Sequence, residues 1–149
     1  MQVDIVQIDP GEAAGLIREL DDYQAELYPA ESNHLDSLDT LRADNVVMLA
    51  VKENASILAI GAVKFMAGYG EIKRVYVPGE HRGRGLARQI MAALEARLKA
   101  EGISEARLET GIRQPEAIGL YRALGYETCG PFGGYRPDPL SLFMVKYLD

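Results

Sequence analysis

Basic side chains alternate with glycines where a strand-like run of the sequence gives way to a helical one. The stretch VYVPGEHRGRGLAR places Arg82, Arg84 and Arg88 around Gly83 and Gly85. Glycine has no side chain to keep a ligand away from the backbone, and the free amides at the start of a helix favour negative charge. The combination is typical of a loop that binds a phosphate or pyrophosphate group.

Two well-known anion-binding loops do not fit this stretch. A P-loop needs G-x-x-x-x-G-K-[ST], and Arg84 stands where the lysine should follow. A dinucleotide fingerprint needs G-x-G-x-x-G, and Arg88 takes the place of the third glycine. Glu109 could serve as the ribose-binding acid of a dinucleotide-binding domain. However, such a domain does not start with three strands, which are predicted here before the loop. Two interpretations remain: amides that hold a pyrophosphate, or an ordinary glycine-rich turn with solvated arginines.

A second segment, QPEAIGLYRALGYE, follows about 30 residues later and has the pattern of a short helix. Pro115 suits the first helical position, and Gly125 ends the pattern. Apolar residues recur between them at helical spacing: Ala117, Leu120, Tyr121 and Leu124.

Together the two segments resemble the GNAT superfamily of N-acetyltransferases. The run RGRGLA, residues 82–87, matches the family signature R/Q-x-x-G-x-G/A, and the second segment matches N-x-x-A-x-x-L-Y-x-x-x-G-[FY]. Gln114 stands where asparagine is commoner in the family. The stretches YPAESNH, ETGIRQPEA and GPFGGYRPDPLS further resemble a bacterial subgroup, the YsnE-type acetyltransferases. The resemblance covers nearly the whole chain.

The resemblance implies that the anion is the pyrophosphate of acetyl-CoA, held by the amides of residues 83–87. It also implies that backbone groups of Val75 and Val77 pair with the pantetheine arm, in a gap between that strand and residues 106–112. No metal is expected. The implied cofactor-binding residues are Val75, Tyr76, Val77, Arg82, Gly83, Arg84, Gly85, Leu86, Ala87, Arg88, Gln114 and Ala117.

Two residues have implied catalytic roles in direct acetyl transfer to an amine. Tyr121 matches the family tyrosine that protonates the departing thiolate; alternatively, it packs on its own helix. Glu71 stands four residues before Val75, as the base does in histone-acetylating relatives, and an even offset keeps it on the face of Val75 and Val77 unless a bulge intervenes. Glu71 could instead pair with Lys73 or Arg74, and many relatives use a water chain. Cys129 is more simply interpreted as a small buried side chain than as a nucleophile.

The acceptor pocket of the family lies between the first two helices and the loop that joins the last strands. The residues implied there are Tyr28, Glu31, Ser32, Asn33, His34, Phe132, Tyr135 and Arg136. The expected acceptor is the primary amine of a small molecule or amino acid derivative, because no extra module is present to dock a protein. The alternatives are acetylation of a protein lysine or N-terminus, and a non-catalytic acyl-CoA sensor.

The elements that must position these residues form a mixed α/β (α+β) pattern. Strand-like runs bounded by turn residues predict seven strands, and residues 86–98 carry an apolar stripe at helical spacing. The predicted order is β-α-α-β-β-β-α-β-α-β-β. The expected architecture is the GNAT acyl-CoA N-acyltransferase fold, with a mixed, mostly antiparallel sheet, helices on both faces and a splayed central strand pair. Residues 1–149 are expected to form one domain.

Composition limits the other classes of function. The net charge of −6 argues against a general nucleic-acid binder, although half of the 22 acidic residues lie within residues 1–45. No apolar run reaches the length of a membrane span, and no signal peptide is evident. The single cysteine and two histidines form no zinc motif and suit a reducing, cytoplasmic setting. Homodimers are common in the family, but the sequence itself does not indicate one.

Overall fold

The chain folds around one sheet of seven strands, and the computed structural model describes residues 3–32 and 37–149. The strands are β1 (Asp4–Ile8), β2 (Val46–Glu53), β3 (Ser56–Phe65), β4 (Gly70–Tyr76), β5 (Glu105–Gly111), β6 (Glu127–Cys129) and β7 (Ser141–Tyr147). The helices are α1 (Ala14–Leu27), α2 (Leu38–Leu41), α3 (Leu86–Ala100) and α4 (Pro115–Ala123). Short 3-10 turns lie at Pro10–Ala13, Ala30–Ser32 and Gly79–His81.

The strand order across the sheet is β1-β2-β3-β4-β5-β7-β6. Every neighbouring pair is antiparallel except β4 and β5, which run parallel in the middle of the sheet. The predicted mixed, mostly antiparallel sheet is therefore confirmed, and so is the predicted order of its elements.

The central pair separates soon after it begins. Strands β4 and β5 are in register over only three residue pairs, the last of which joins Ile72 to Leu108. Beyond that point the facing edges of the two strands lack each other as hydrogen-bond partners, so a gap opens between them. The predicted splayed pair is confirmed.

A bulge in β4 lies next to this gap. Ile60 pairs with Tyr76 and Ala62 pairs with Lys73, so one extra residue is inserted on the β4 side. Arg74 has φ +56°, a left-handed conformation that is uncommon for a residue with a side chain. The bulge reverses the alternation of side chains along β4.

This reversal corrects one expectation about Glu71. Ile72 and Val75 both pack into the core on the α3 face of the sheet, although they are three residues apart. Glu71, next to Ile72, therefore points to the opposite face from Val75. The expectation that Glu71 shares a face with Val75 and Val77 is wrong, because the bulge intervenes.

Apolar cores cover both faces of the sheet. On one face the stripe of α3 is buried completely at Ile90, Leu94 and Leu98, which explains the strong helical pattern in the sequence. On the other face Ile17 of α1 and Leu41 of α2 pack on β2 and β3. Each fully buried aliphatic side chain of this kind contributes about 1.5–3 kcal/mol of transfer free energy.

Helix α2 is a single turn that begins after Ser37, whose hydroxyl accepts a hydrogen bond from the Thr40 amide. Within the described residues, no helix combines the length and apolar character that a bilayer crossing requires.

Candidate active site

A groove runs along the open side of β4 to the start of α3. The loop that enters α3 turns through two glycines with positive φ, Gly83 at +80° and Gly85 at +75°. A Cβ atom on either glycine would meet nothing within 4 Å, so the backbone here faces open space. Of the predicted cofactor-binding residues, those that line this groove are Val75, Tyr76, Val77, Arg82, Gly83, Gly85, Leu86, Ala87, Arg88, Gln114 and Ala117.

The three arginines of the loop are placed differently. Arg88 lines the groove, and Arg82 lines it while donating a hydrogen bond from Nε to the carbonyl of Val77 at 3.0 Å. Arg84 is not part of the lining; its Nη2 atom lies 3.6 Å from a carboxylate oxygen of Glu53. The positive charge that a pyrophosphate would meet therefore comes from Arg82 and Arg88.

A second space, the inner cavity, lies in the gap between β4 and β5. Tyr121 stands at its junction with the groove, because its side chain lines both. Predicted site residues that line the inner cavity are Tyr28, Ser32, Glu71, Val75, Gln114, Ala117, Tyr121 and Tyr135. The structure thus brings the predicted acid, the predicted base and part of the predicted acceptor site around one space.

Burial dominates the chemistry of Tyr121. The residue is only 9% exposed, and its ring packs edge-on against Tyr126 with centroids 6.0 Å apart. Burial raises the pKa of Tyr121 to about 12, with a further contribution from the negative charge of Glu109. The phenol therefore stays protonated at neutral pH and is available as a hydrogen-bond donor.

Glu71 belongs to a cluster of three polar side chains. Its Oε2 atom accepts a hydrogen bond from the Tyr135 hydroxyl at 2.5 Å and another from Nζ of Lys73 at 3.0 Å. Lys73 also donates to the Tyr135 hydroxyl at 3.3 Å. The predicted alternative of a pairing with Lys73 is present, yet Glu71 is 6% exposed rather than solvated.

An outer groove lies beyond this cluster. Glu71, Lys73 and Tyr135 line both it and the inner cavity, so the cluster forms a shared wall. Glu31 and Arg136 line the outer groove only. The predicted acceptor residues are therefore divided between an inner cavity and an outer approach.

Phe132 has a supporting position in the loop between β6 and β7. It is 7% exposed and lines none of the three spaces. Its ring packs edge-on against Tyr69, Tyr135 and Phe143, with centroids 5.3–5.8 Å apart. Phe132 thus supports Tyr135 from behind and does not line the cavity, unlike the sequence-based expectation.

Two of the predicted acceptor residues, Asn33 and His34, lie outside the described residues.

Sequence reasoning missed Glu109 as part of the site. It lines the inner cavity, accepts a hydrogen bond from the Ser141 hydroxyl at 2.8 Å, and its charge raises the pKa of both Tyr121 and Tyr28 after the larger effect of burial. Alternation along β5 could have indicated it, since Ala106 and Leu108 are apolar and Glu109 falls on the opposite face.

Tyr28 lines the inner cavity and contacts the start of α4. Its hydroxyl accepts a hydrogen bond from the Arg113 amide at 3.1 Å and donates one to Oε1 of Gln114 at 3.2 Å. A Cβ atom on Gly111 would lie 1.8 Å from this hydroxyl, so only glycine leaves room for the contact. The end of α1 is thereby held against the start of α4.

Comparisons with known proteins agree on one family. The family model described as Acetyltransferase (GNAT) family matches residues 14–126. A protein of Azospirillum brasilense named IAA acetyltransferase is 44% identical over 135 residues, which make up 89% of this chain and 88% of that protein. YsnE of Bacillus subtilis (strain 168), an uncharacterized N-acetyltransferase, is 32% identical over 123 residues, or 80% of this chain and 82% of YsnE.

Solved structures share the whole architecture. The crystal structure of a protein assigned as an acyl-CoA N-acyltransferase, from Klebsiella pneumoniae subsp. pneumoniae MGH 78578, has a TM-score of 0.84 and 36% identity, with 99% of each chain covered. PaiA N-acetyltransferase from Thermoplasma acidophilum, in complex with coenzyme A, has a TM-score of 0.76 with 99% of each chain covered. At 16% identity, the second likeness concerns the fold alone.

Proposed function

Because this chain belongs to the GNAT family of acetyltransferases and is an acetyl-CoA-dependent N-acetyltransferase, we propose that it acetylates the primary amine of a small molecule or amino acid derivative. The observation that carries the proposal is the meeting of two spaces at Tyr121: an open groove on one side and an inner cavity on the other. Each space suits one of the two substrates.

The groove fits acetyl-CoA by its chemistry. The loop at Gly83 and Gly85 offers backbone amides without side chains in front of them, at the positive end of the α3 dipole. Arg82 and Arg88 add positive charge for a pyrophosphate. Past Ile72 the edge of β4 lacks a partner in β5, so its backbone groups can pair with the amides of a pantetheine arm.

When bound, acetyl-CoA supplies a thioester whose acetyl group passes to the amine nitrogen as the carbon–sulfur bond breaks. In the proposed mechanism Tyr121 donates its hydroxyl proton, or a hydrogen bond, to the departing sulfur. Glu71 takes the proton of the acceptor ammonium, directly or through water, so that the nitrogen has a free electron pair. The second proton, which the nitrogen loses as the amide forms, replaces the one that Tyr121 gives to the sulfur. Backbone groups of Val75 and Val77 hold the cofactor arm in position.

The lining of the inner cavity supports a small acceptor. Its walls come from α1, β4, β5, α4 and the β6–β7 loop, and they include Tyr28, which is only 6% exposed. The polar lining, which includes Gln24, Ser32 and Thr110, suits an acceptor with several hydrogen-bonding groups. The relative named IAA acetyltransferase also supports a small-molecule acceptor.

A coupled assay tests the proposal. The purified protein is mixed with acetyl-CoA and, in turn, with aliphatic, aromatic and amino-acid amines and with short peptides that carry a free N-terminus or a lysine, while release of the CoA thiol is measured. We expect saturable release with at least one small amine and weaker release with the peptides. Faster turnover of a peptide would favour protein acetylation, and CoA binding without turnover of any amine would favour a sensor.

A further inference from the structure

The side chain of Gln114 contacts residues outside the helix that it precedes. It is the N-cap residue of α4, yet its side chain makes no capping hydrogen bond to the helix. Its carbonyl oxygen instead accepts from the Tyr28 hydroxyl at 3.2 Å and, at a longer 3.4 Å, from Nε2 of Gln24. Both partners belong to α1 or the residue that ends it, 86 and 90 residues away in sequence.

This bridge lies where the two substrate spaces meet. Gln114 lines the groove and the inner cavity, whereas Tyr28 and Gln24 line the inner cavity alone. The Tyr28 hydroxyl donates its hydrogen bond to Gln114 and accepts one from the Arg113 amide. Its orientation is therefore set by residues at the start of α4. The Arg113 guanidinium also lies 5.8 Å from the Tyr28 ring centroid.

From these contacts we infer that Gln114 is a positioning residue that fixes the Tyr28 wall of the acceptor cavity to the α4 end of the cofactor groove. The inference rests on the proposed function, since it assigns the inner cavity to the acceptor. It goes beyond a cofactor contact, because the side-chain oxygen of Gln114 faces Tyr28 and Gln24.

Side-chain length decides whether the bridge forms. An asparagine at this position is one methylene shorter, about 1.5 Å, and its oxygen would fall outside hydrogen-bond range of the Tyr28 hydroxyl. Asparagine is also a favoured N-cap residue, whereas glutamine is not. The substitution Gln114→Asn therefore removes the bridge while it improves the cap of α4.

The test compares Gln114→Asn, Tyr28→Phe and the double variant, with Tyr147→Phe as control because Tyr147 is 69% exposed. The acceptor probe is the amine of the panel above that the wild type acetylates fastest. Each single variant should lower kcat/KM for that amine about three- to tenfold, the effect of one hydrogen bond. The double variant should lose no more than the larger single loss, because both changes break the same contact.

The melting temperature of Gln114→Asn should not fall together with its activity. Gln114→Asn should melt at the same temperature as the wild type or higher, and Tyr28→Phe should bind acetyl-CoA with unchanged affinity in calorimetry. Loss of acceptor turnover with a gain of stability is a result that a merely structural glutamine would not produce. Multiplicative losses in the double variant, or weaker acetyl-CoA binding with an unchanged acceptor KM, would overturn the inference.

Hydrogen exchange provides a readout that needs no acceptor. The Arg113 amide should exchange faster in both Gln114→Asn and Tyr28→Phe than in the wild type and in Tyr147→Phe. If Gln114→Asn leaves this amide as protected as in the wild type, no bridge exists. If the wild type turns over no amine while the exchange result holds, the proposed function fails and the bridge remains.

Discussion

Arg74 and Asp21 form an ion pair that joins the bulge of β4 to helix α1, with Nη1 of Arg74 2.5 Å from Oδ1 of Asp21. The Arg74 side chain is 4% exposed, and its backbone has the left-handed conformation that makes the bulge. A conformation of this kind persists only where surrounding contacts hold it. The pair therefore helps to keep β4 bent away from β5, where the substrate spaces open.

We predict that Asp21→Asn lowers both stability and activity. Loss of the charged acceptor should reduce the free energy of unfolding by about 1–3 kcal/mol, and a less strained β4 should weaken acetyl-CoA binding. Asp22→Asn is the matched control, since it removes the same charge one residue later in the same helix. Urea unfolding and calorimetric titration of the two variants measure the effects. Equal behaviour of the two would mean that the pair does not support the bulge.

A second prediction concerns the glycine loop. Gly85→Ala should weaken acetyl-CoA binding at least about tenfold, because its Cβ would stand in front of the amides that receive the pyrophosphate. Gly102 has the same φ of +75° at the other end of α3, and a Cβ atom there would also meet nothing within 4 Å. Gly102→Ala therefore carries the same backbone cost, about 1–2 kcal/mol, away from the groove.

Calorimetry with the two alanine variants separates these causes. Similar melting temperatures with different acetyl-CoA affinities are expected. The assignment of the glycine loop as the pyrophosphate site is wrong if Gly85→Ala and Gly102→Ala bind acetyl-CoA equally well.

The third prediction decides between two carboxylates. Glu71→Gln keeps an oxygen that can accept from Tyr135 and Lys73 but removes the proton acceptor, so kcat/KM should fall by about 10²–10⁴. Glu109→Gln should mainly raise the KM of the amine, because Glu109 supplies negative charge to the cavity without serving as the base. If Glu109→Gln loses the larger part of kcat, proton removal belongs to Glu109; near-normal rates in both variants would assign it to water.

Several parts of the fold and the site were predictable because they depend on residue type. The strip of apolar residues on α3 corresponds to one buried face, and the continuous apolar runs of β2 and β3 correspond to strands buried on both faces, so local pattern alone predicted those elements. The glycine loop was recognisable because a positive φ and an open backbone require glycine at Gly83 and Gly85.

Features that depend on tertiary packing were not predictable. Nothing in the residue type of Arg74 indicates a left-handed conformation, which asparagine, aspartate or glycine would have suggested. Because the sequence does not reveal that bulge, the face of the sheet on which Glu71 lies was predicted wrongly. The role of Glu109 likewise depends on the gap between β4 and β5, and the turn of Arg84 toward Glu53 depends on the β2–β3 hairpin.

The fourth prediction concerns the hydroxyl of Tyr121 as a hydrogen-bond donor. Tyr121→Phe keeps the ring against Tyr126 and removes only the donor, so acetyl transfer should slow by about 10²–10⁴ while acetyl-CoA affinity stays the same. Because the pKa of Tyr121 is about 12, its ionisation should not shape the rate profile near neutral pH. A loss of less than about fivefold would indicate a packing role.

Alkaline stability gives an independent measure of the same group. A tyrosine that titrates near pH 10 when unfolded and at about 12 when folded holds its proton longer in the native state. Its contribution is fully present below pH 10 and is lost as the pH rises toward 12, to a total of roughly 2–3 kcal/mol. Burial also raises the pKa of Tyr126, so the wild type should lose stability steeply in this range. Denaturant unfolding at intervals from pH 9 upward should show a shallower decline for Tyr121→Phe than for the wild type. Parallel declines would mean that the Tyr121 hydroxyl is hydrated in the native protein and that burial does not raise its pKa.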